Sequence, residues 1–300
     1  MKTILQKTAN ILFVNAQQIN KTEVLGGITG ITIFFYNYSR FSKIENYNSF
    51  ADYLLDILIE NLDKMDLLEL INFSWGIEYL IINNFVEGDS NEILEEIDER
   101  IVSYSESSNS KDDSEVFWGL FLLSRIKNDN IKKRLKAKYS KIIIENFKKI
   151  FETRKEHSLS YLNSMLFSFM EIYFLNLLEL EKNKIVYNRL LSVIFNSLLK
   201  NSFDQNDLEL LTCLLKKYNM PEREKIENII SEKTNLSTRN SIEYIIKKGW
   251  QNLLYFEDGI QENGDIKLAE AFIDKIILDI SVDNLTVNKG IAGLGMVLIN

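Results

Sequence analysis

Apolar and polar residues follow two different helical patterns along this chain. In the first, apolar residues recur every three or four positions and form a stripe on an otherwise polar helix. Residues 48–62 show this pattern, and their stripe consists of Phe50, Leu54, Ile57 and Leu58. In the second pattern the segment is apolar nearly all round, as in residues 31–36, 77–82 and 162–178. A striped helix needs cover on one side only, whereas an all-apolar helix needs cover on every side.

Seven segments carry the striped pattern, namely residues 4–18, 48–62, 91–101, 133–151, 183–199, 222–233 and 266–280. In residues 91–101 the stripe consists of Ile93, Ile97 and Ile101. Asp89 stands three positions before Glu92, which is the spacing of a capping box and predicts that a helix begins there.

Glycine opens an apolar run in four segments, at residues 26–38, 74–85, 117–126 and 290–300. If Gly30, Gly76, Gly119 and Gly293 are equivalent, their spacings are 46, 43 and 174 residues. The last spacing equals four periods of about 43.5, so three degenerate copies are expected between Gly119 and Gly293. Apolar helical segments begin there at residues 159, 207 and 237.

Alternation of the two helix types predicts an all-α fold, an α/α toroid or barrel of about seven helical hairpins in one domain, residues 1–300. All-apolar helices would form the inner layer and striped helices the outer layer. A glycine at the start of an inner helix would let backbones approach closely. The unpaired N–H groups at such a helix start also offer a functional interpretation, in which they face the mouth of the ring and bind a ligand.

The composition agrees with a large helical core. Hydrophobic residues make up 46% of the chain and charged residues 26%, and Pro221 is its one proline. Because proline interrupts helices, this scarcity permits long helices nearly everywhere.

The net charge of −8 and the pI near 5.0 argue against nucleic acid or an anionic membrane as the main partner. The most basic stretch is residues 131–141. Its lysines are expected on the solvated face of a helix whose apolar stripe consists of Ile131, Leu135, Tyr139 and Ile142.

The chain has no pattern typical of secretion or of a membrane span. Its single cysteine, Cys213, excludes an internal disulfide and is compatible with a cytoplasmic location. Polar residues interrupt any signal-peptide core in residues 1–20. The longest apolar stretch, residues 161–180, contains Asn163, Glu171 and Asn176 and is expected to be a buried helix.

The stretches "GGITGI", "SWGIEYLI", "FVEGDSNEILEEID" and "KGIAGLGMVL" resemble lanthionine synthetase C-like proteins. The resemblance covers residues 24–126 and 289–300. It implies an α/α toroid with glycine motifs at the inner helices. In catalytic members, two cysteines and a histidine, directly preceded by the second cysteine, hold a zinc ion that activates a peptide thiol.

This sequence does not contain the zinc ligands of that family. Cys213 is its only cysteine, and its only histidine, His157, follows a glutamate. We therefore expect no metal, no cofactor and no zinc-dependent cyclisation. The resemblance then implies a non-catalytic helper in peptide modification, which binds a peptide or protein partner.

The candidate ligand-binding residues are Trp75, Glu78, Trp118 and His157. Trp75 and Trp118 each precede a repeat glycine and would offer a stacking surface on one rim, although aromatic residues there more often serve packing. His157 is a candidate acid or base, although a histidine at a polar junction is more often a solvent-facing residue.

The alternative function is a carbohydrate-active or other hydrolytic toroid, which would need two carboxylates that face one cleft. The inner-helix candidates are Glu78, Glu171 and Glu243. For Glu78, near the expected mouth of the ring, the competing interpretation is a carboxylate paired with a neighbouring cation or backbone amide.

Overall fold

The structure, a computed structural model, describes residues 1–107, 129–152, 158–174, 180–200, 205–217, 223–233, 246, 266–278 and 280–299. These residues are mostly helical and include no strand, which confirms the all-α prediction for this part of the chain. The helices are α1 (Lys2–Asn15), α2 (Ile28–Ser42), α3 (Glu45–Glu60), α4 (Leu67–Ile82), α5 (Ser90–Ile93), α6 (Glu95–Ser107), α7 (Asp129–Glu152), α8 (Leu159–Phe174), α9 (Leu180–Lys200), α10 (Gln205–Lys217), α11 (Arg223–Lys233), α12 (Ile266–Leu278) and α13 (Ile291–Ile299). Short 3₁₀ turns lie at Ala16–Gln18, Leu62–Lys64 and Asp283–Leu285.

The chain divides into two compact units. The first comprises Met1–Glu92 and Leu236–Asn300, and the second comprises Ile93–Asn235. In the first unit, α13 packs against α1 and α2, α12 packs against α1, and α2 packs against α3 and α4. The two ends of the chain therefore meet within one unit.

The second unit is also built of packed helices. Helix α8 packs against α7, α9 and α10, and α11 packs against α9 and α10. Helix α6 packs against α7. Each of the seven predicted striped segments overlaps one of the described helices or, for residues 91–101, two of them. Two predicted inner segments, residues 117–126 and 237–256, lie outside the described residues apart from Ile246.

Burial separates the two helix types as their patterns predict. Residues 28–36 of α2, 70–77 of α4 and 291–296 of α13 are buried without interruption. Helix α3 buries only one face, which consists of Tyr47, Ala51, Leu54 and Leu58, while Phe50 and Ile57 are half-buried. In α7 the predicted stripe of Ile131, Leu135, Tyr139 and Ile142 is buried, while Lys133 and Lys141 are exposed.

Helix α4 begins nine residues before Gly76, so the prediction that this glycine opens the helix is wrong. The N-cap is Asp66, whose carboxylate accepts the Glu69 N–H at 2.9 Å. The Glu69 carboxylate in turn accepts the Asp66 N–H at 3.0 Å. This reciprocal capping box fixes the start of the helix and leaves Gly76 in its second half.

The segment after α4 also differs from its prediction. Leu94 separates α5 from α6, so residues 91–101 do not form one continuous helix. Ile97 and Ile101 are buried as expected, whereas Ile93 is 46% exposed. The Asp89 carboxylate accepts the Asn91 N–H at 2.9 Å, an i to i+2 cap rather than the bond to Glu92 that a capping box requires.

Candidate binding cleft

The start of α2 is a tight glycine turn. The Ile28 N–H donates to the Lys21 carbonyl at 2.8 Å, and the Thr29 hydroxyl donates to the Thr22 carbonyl. A Cβ on Gly30 would overlap the Val24 carbonyl oxygen. The preceding loop therefore crosses the helix at a distance that only glycine permits.

The start of α13 repeats this arrangement. A Cβ on Gly293 would overlap the carbonyl oxygen of Val287, again the residue six positions earlier. The N–H groups of Gly290 and Gly293 both donate to the Thr286 carbonyl, at 3.1 and 3.4 Å. At these two helix starts the prediction that glycine permits the close approach of a loop is confirmed.

The two turns are neighbours in the first unit. The Asn288 N–H donates to the Leu25 carbonyl at 2.9 Å, and a methyl group of Val287 lies 2.7 Å from the position of a Cβ on Gly30. On the other side, the Val24 N–H donates to the Asn72 side-chain oxygen at 3.1 Å. The loop before α2 is thus held between the loop before α13 and helix α4.

A cleft of about 420 Å³ opens beside this loop. It is bounded by the end of α1 and its 3₁₀ turn, the loop before α2, the end of α3 and the start of α4. Its lining residues are Gln17, Ile19, Asn20, Thr22, Ile28, Ile57, Leu58, Asn61, Lys64, Met65 and Glu69. We call this site the α1–α3–α4 cleft.

Hydrogen bonds position part of the polar lining. The Asn61 amide donates to the Ile57 carbonyl at 2.8 Å, and the Lys64 ammonium donates to the Asn61 side-chain oxygen at 3.0 Å. The Gln17 amide donates to the Tyr53 hydroxyl at 3.2 Å. One oxygen of Glu69 accepts the Asp66 N–H in the cap of α4. The cleft therefore combines a buried aliphatic floor with a rim of amides and one charge of each sign.

Of the residues proposed from sequence, Trp75 and Glu78 are described by the structure, and both lie outside this cleft. Trp75 is 1% exposed and stacks on Tyr79 with ring centroids 5.7 Å apart, so packing accounts for its ring. Glu78 is half-buried in the second half of α4, rather than near the start of a helix as expected. Neither lines the α1–α3–α4 cleft. Trp118, His157 and Glu243 lie outside the described residues, as does the side chain of Glu171.

Beyond its glycine turn, α2 makes aromatic and polar contacts with neighbouring residues. The Tyr36 hydroxyl donates to Asp52 at 2.6 Å, and burial together with this carboxylate raises the tyrosine pKa. Burial also raises the pKa of Tyr79, whose hydroxyl accepts a bond from the Asn37 amide at 3.3 Å. Arg40 lies 3.6 Å from the centre of the Phe85 ring. These contacts make this end of α2 a packed structural region.

The described parts of the chain contain no group of three or more His, Cys, Asp or Glu side chains arranged to hold a metal ion. None of the helices within those parts combines the length and the apolar character needed to cross a membrane.

The α1–α3–α4 cleft was not predictable from the sequence, because its lining comes from the ends of several helices and no short motif contains it. One signal was present: Asp66 and Glu69 have the capping-box spacing and mark where α4 begins. Comparison of the chain with protein families, with characterised proteins and with solved structures finds no match.

Proposed function

We propose that this protein is a divergent lanthionine synthetase C-like α/α toroid of about seven hairpins that lacks the family's zinc site. In this proposal it binds a peptide or protein in the cytoplasm and assists peptide modification without catalysing it. The observation that carries the proposal is the contact between the glycine turns at the starts of α2 and α13, which come from opposite ends of the chain.

This contact supports a closed ring because it makes the last inner helix a neighbour of the first. Ile246, from the repeat before α13, lies 3.1 Å from the position of a Cβ on Gly293. Val287 approaches Gly30, and Thr29 approaches Gly76, in the same way. Each of these three glycines is therefore contacted by a side chain from the preceding repeat. For Gly30 the preceding repeat is the one at the other end of the chain.

A binding role is favoured over zinc chemistry by the side chains that the sequence supplies. Zinc-dependent cyclisation requires thiolate and imidazole ligands in a set that one cysteine and one histidine cannot provide. A peptide can be bound by amide side chains and an aliphatic surface alone, and both are found together in the α1–α3–α4 cleft.

Two measurements test this proposal. Elemental analysis of the purified protein should find no stoichiometric zinc, and a dehydrated peptide that contains cysteine should bind without cyclisation. Calorimetry would measure the binding, and mass spectrometry after thiol alkylation would measure the cyclisation. Stoichiometric zinc or catalytic turnover would refute the non-catalytic assignment.

The second candidate is a hydrolytic toroid, and the observation that favours it is a half-buried carboxylate, Glu78, on an inner-type helix. Glycoside hydrolysis needs two carboxylates that face one cleft, and Glu78 would be one of them. If Glu78 has this role, Glu78→Gln should abolish hydrolysis of a glycoside substrate with little change in stability. An unchanged rate would reject the assignment.

A further inference from the structure

The α1–α3–α4 cleft has an aliphatic floor and lacks aromatic side chains. The floor consists of Ile19, Ile28, Ile57, Leu58 and Met65, of which all but Ile57 are buried. Saccharide sites commonly use an aromatic face for stacking, and none of the lining residues provides one. The floor is therefore suited to branched aliphatic side chains rather than to a sugar ring.

Two amide side chains on the rim and one buried hydroxyl beside them retain hydrogen-bonding capacity. Within the described residues, Asn20 makes no side-chain hydrogen bond, and the Gln17 side-chain oxygen accepts none. The Thr22 hydroxyl oxygen is buried and has no partner within those residues either. A carboxamide carries both a donor and an acceptor, so it can pair with the C=O and the N–H of a peptide group.

The lining of the cleft carries one positive and one negative charge. Lys64 and Glu69 are its two charged residues, and each already has a hydrogen bond within the protein. Glu69 is additionally held in the cap of α4. The lining therefore does not favour a strongly charged ligand of either sign. The net charge of −8 on the whole protein also disfavours anions.

We propose that this cleft binds an extended, uncharged peptide segment that carries a branched aliphatic side chain. The aliphatic side chain lies on the floor beside Ile57 and Met65, and the peptide groups pair with Gln17 and Asn20. The volume of about 420 Å³ is within the range of ~300–1,000 Å³ that is usual for small-ligand sites. The inference rests on the proposed peptide-binding function and assigns it a location and a ligand class.

Calorimetry with the blocked tetrapeptide acetyl-Ala-Leu-Ile-Ala-amide tests the proposal on the full-length protein. Ile57→Asn should weaken binding at least about tenfold, because it places an amide where the aliphatic side chain would lie. The double substitution Gln17→Ala with Asn20→Ala should weaken binding by a similar factor, because the buried peptide groups lose their partners.

Each substitution has a matched control outside the cleft. Ile59 is exposed on α3 and Gln6 is exposed on α1, and neither lines the cleft. Ile59→Asn and Gln6→Ala should therefore leave the affinity unchanged. Thermal unfolding of every variant, followed by circular dichroism, establishes that the folded protein is being compared.

The outcomes separate the location of the site from the function. If the peptide binds wild-type protein but the cleft substitutions do not change its affinity, this inference is overturned and the peptide-binding function stands. If neither the tetrapeptide nor a longer dehydrated peptide binds, both are overturned. Tighter binding of decanoate or maltotriose than of the tetrapeptide, lost in Ile57→Asn, would overturn the ligand class.

Discussion

Gly30 and Gly76 open similar stretches of sequence, yet they lie in different surroundings. At Gly30, as at Gly293, a Cβ would overlap a backbone carbonyl of the loop that leads into the helix. At Gly76, in the second half of α4, a Cβ would lie 2.5 Å from a methyl group of Thr29 on the neighbouring helix. A backbone carbonyl in a hydrogen-bonded turn has little room to move, whereas a methyl group can be removed by substitution. The same pattern therefore reflects a backbone constraint at one site and a side-chain contact at the other.

The largest effect is expected for Gly30→Ala. The new methyl group would overlap the Val24 carbonyl and crowd Val287, so we expect a loss of at least about 3 kcal/mol in the free energy of unfolding. Urea denaturation measures this loss. Gly26→Ala is the matched control within the same turn, because its Cβ would meet mainly the flexible end of Glu23. Equal stability losses in the two variants would contradict the backbone constraint.

A smaller loss of stability is expected when the hydrogen bond between the loop before α2 and helix α4, which contains Gly76, is removed. Asn72 is 2% exposed, and its side-chain oxygen accepts the Val24 N–H at 3.1 Å. Asn72→Leu leaves that buried N–H unsatisfied, so we expect a loss of about 2 kcal/mol in unfolding free energy. Amide hydrogen exchange should show faster exchange at Val24. An unchanged exchange rate there would mean that this bond does not hold the loop.

A still smaller loss of stability is expected at Tyr36, which lies in α2 beyond the glycine turn. Tyr36→Phe removes the hydrogen bond to Asp52 and should lower the unfolding free energy by about 1 kcal/mol. The raised pKa of Tyr36 means that the folded protein retains this proton more strongly than the unfolded chain. Its contribution to stability is complete below pH ~10 and declines as the pH rises above that value. Denaturation between pH 8 and pH 11 should show a smaller decline in Tyr36→Phe than in wild type.

The helix types were predictable because burial of α2, α3 and α7 follows directly from the period of their apolar residues. The close approach at Gly30 and Gly293 was also predictable, since only glycine fits where backbones meet. The start of α4 was predicted wrongly because the apolar run around Trp75 lies within the helix, whereas the capping box at Asp66 and Glu69 marks where it begins. The α1–α3–α4 cleft was missed because Gln17, Ile57 and Glu69 become neighbours only when three helix ends meet.

The smallest change in stability is expected at Gly76. Alanine is favoured over glycine inside a helix by about 0.5–1 kcal/mol, but at Gly76 its methyl group meets the methyl group of Thr29. Gly76→Ala alone should therefore change the unfolding free energy little or lower it slightly. Thr29→Ser removes the opposing methyl group and keeps the hydroxyl that donates to the Thr22 carbonyl. In that background Gly76→Ala should raise the free energy of unfolding by up to about 1 kcal/mol. If Gly76→Ala lowers the free energy of unfolding equally in both backgrounds, the Thr29 methyl group is not the reason for glycine at position 76. Gly30 and Gly76 would then not differ in the way that their contacts indicate.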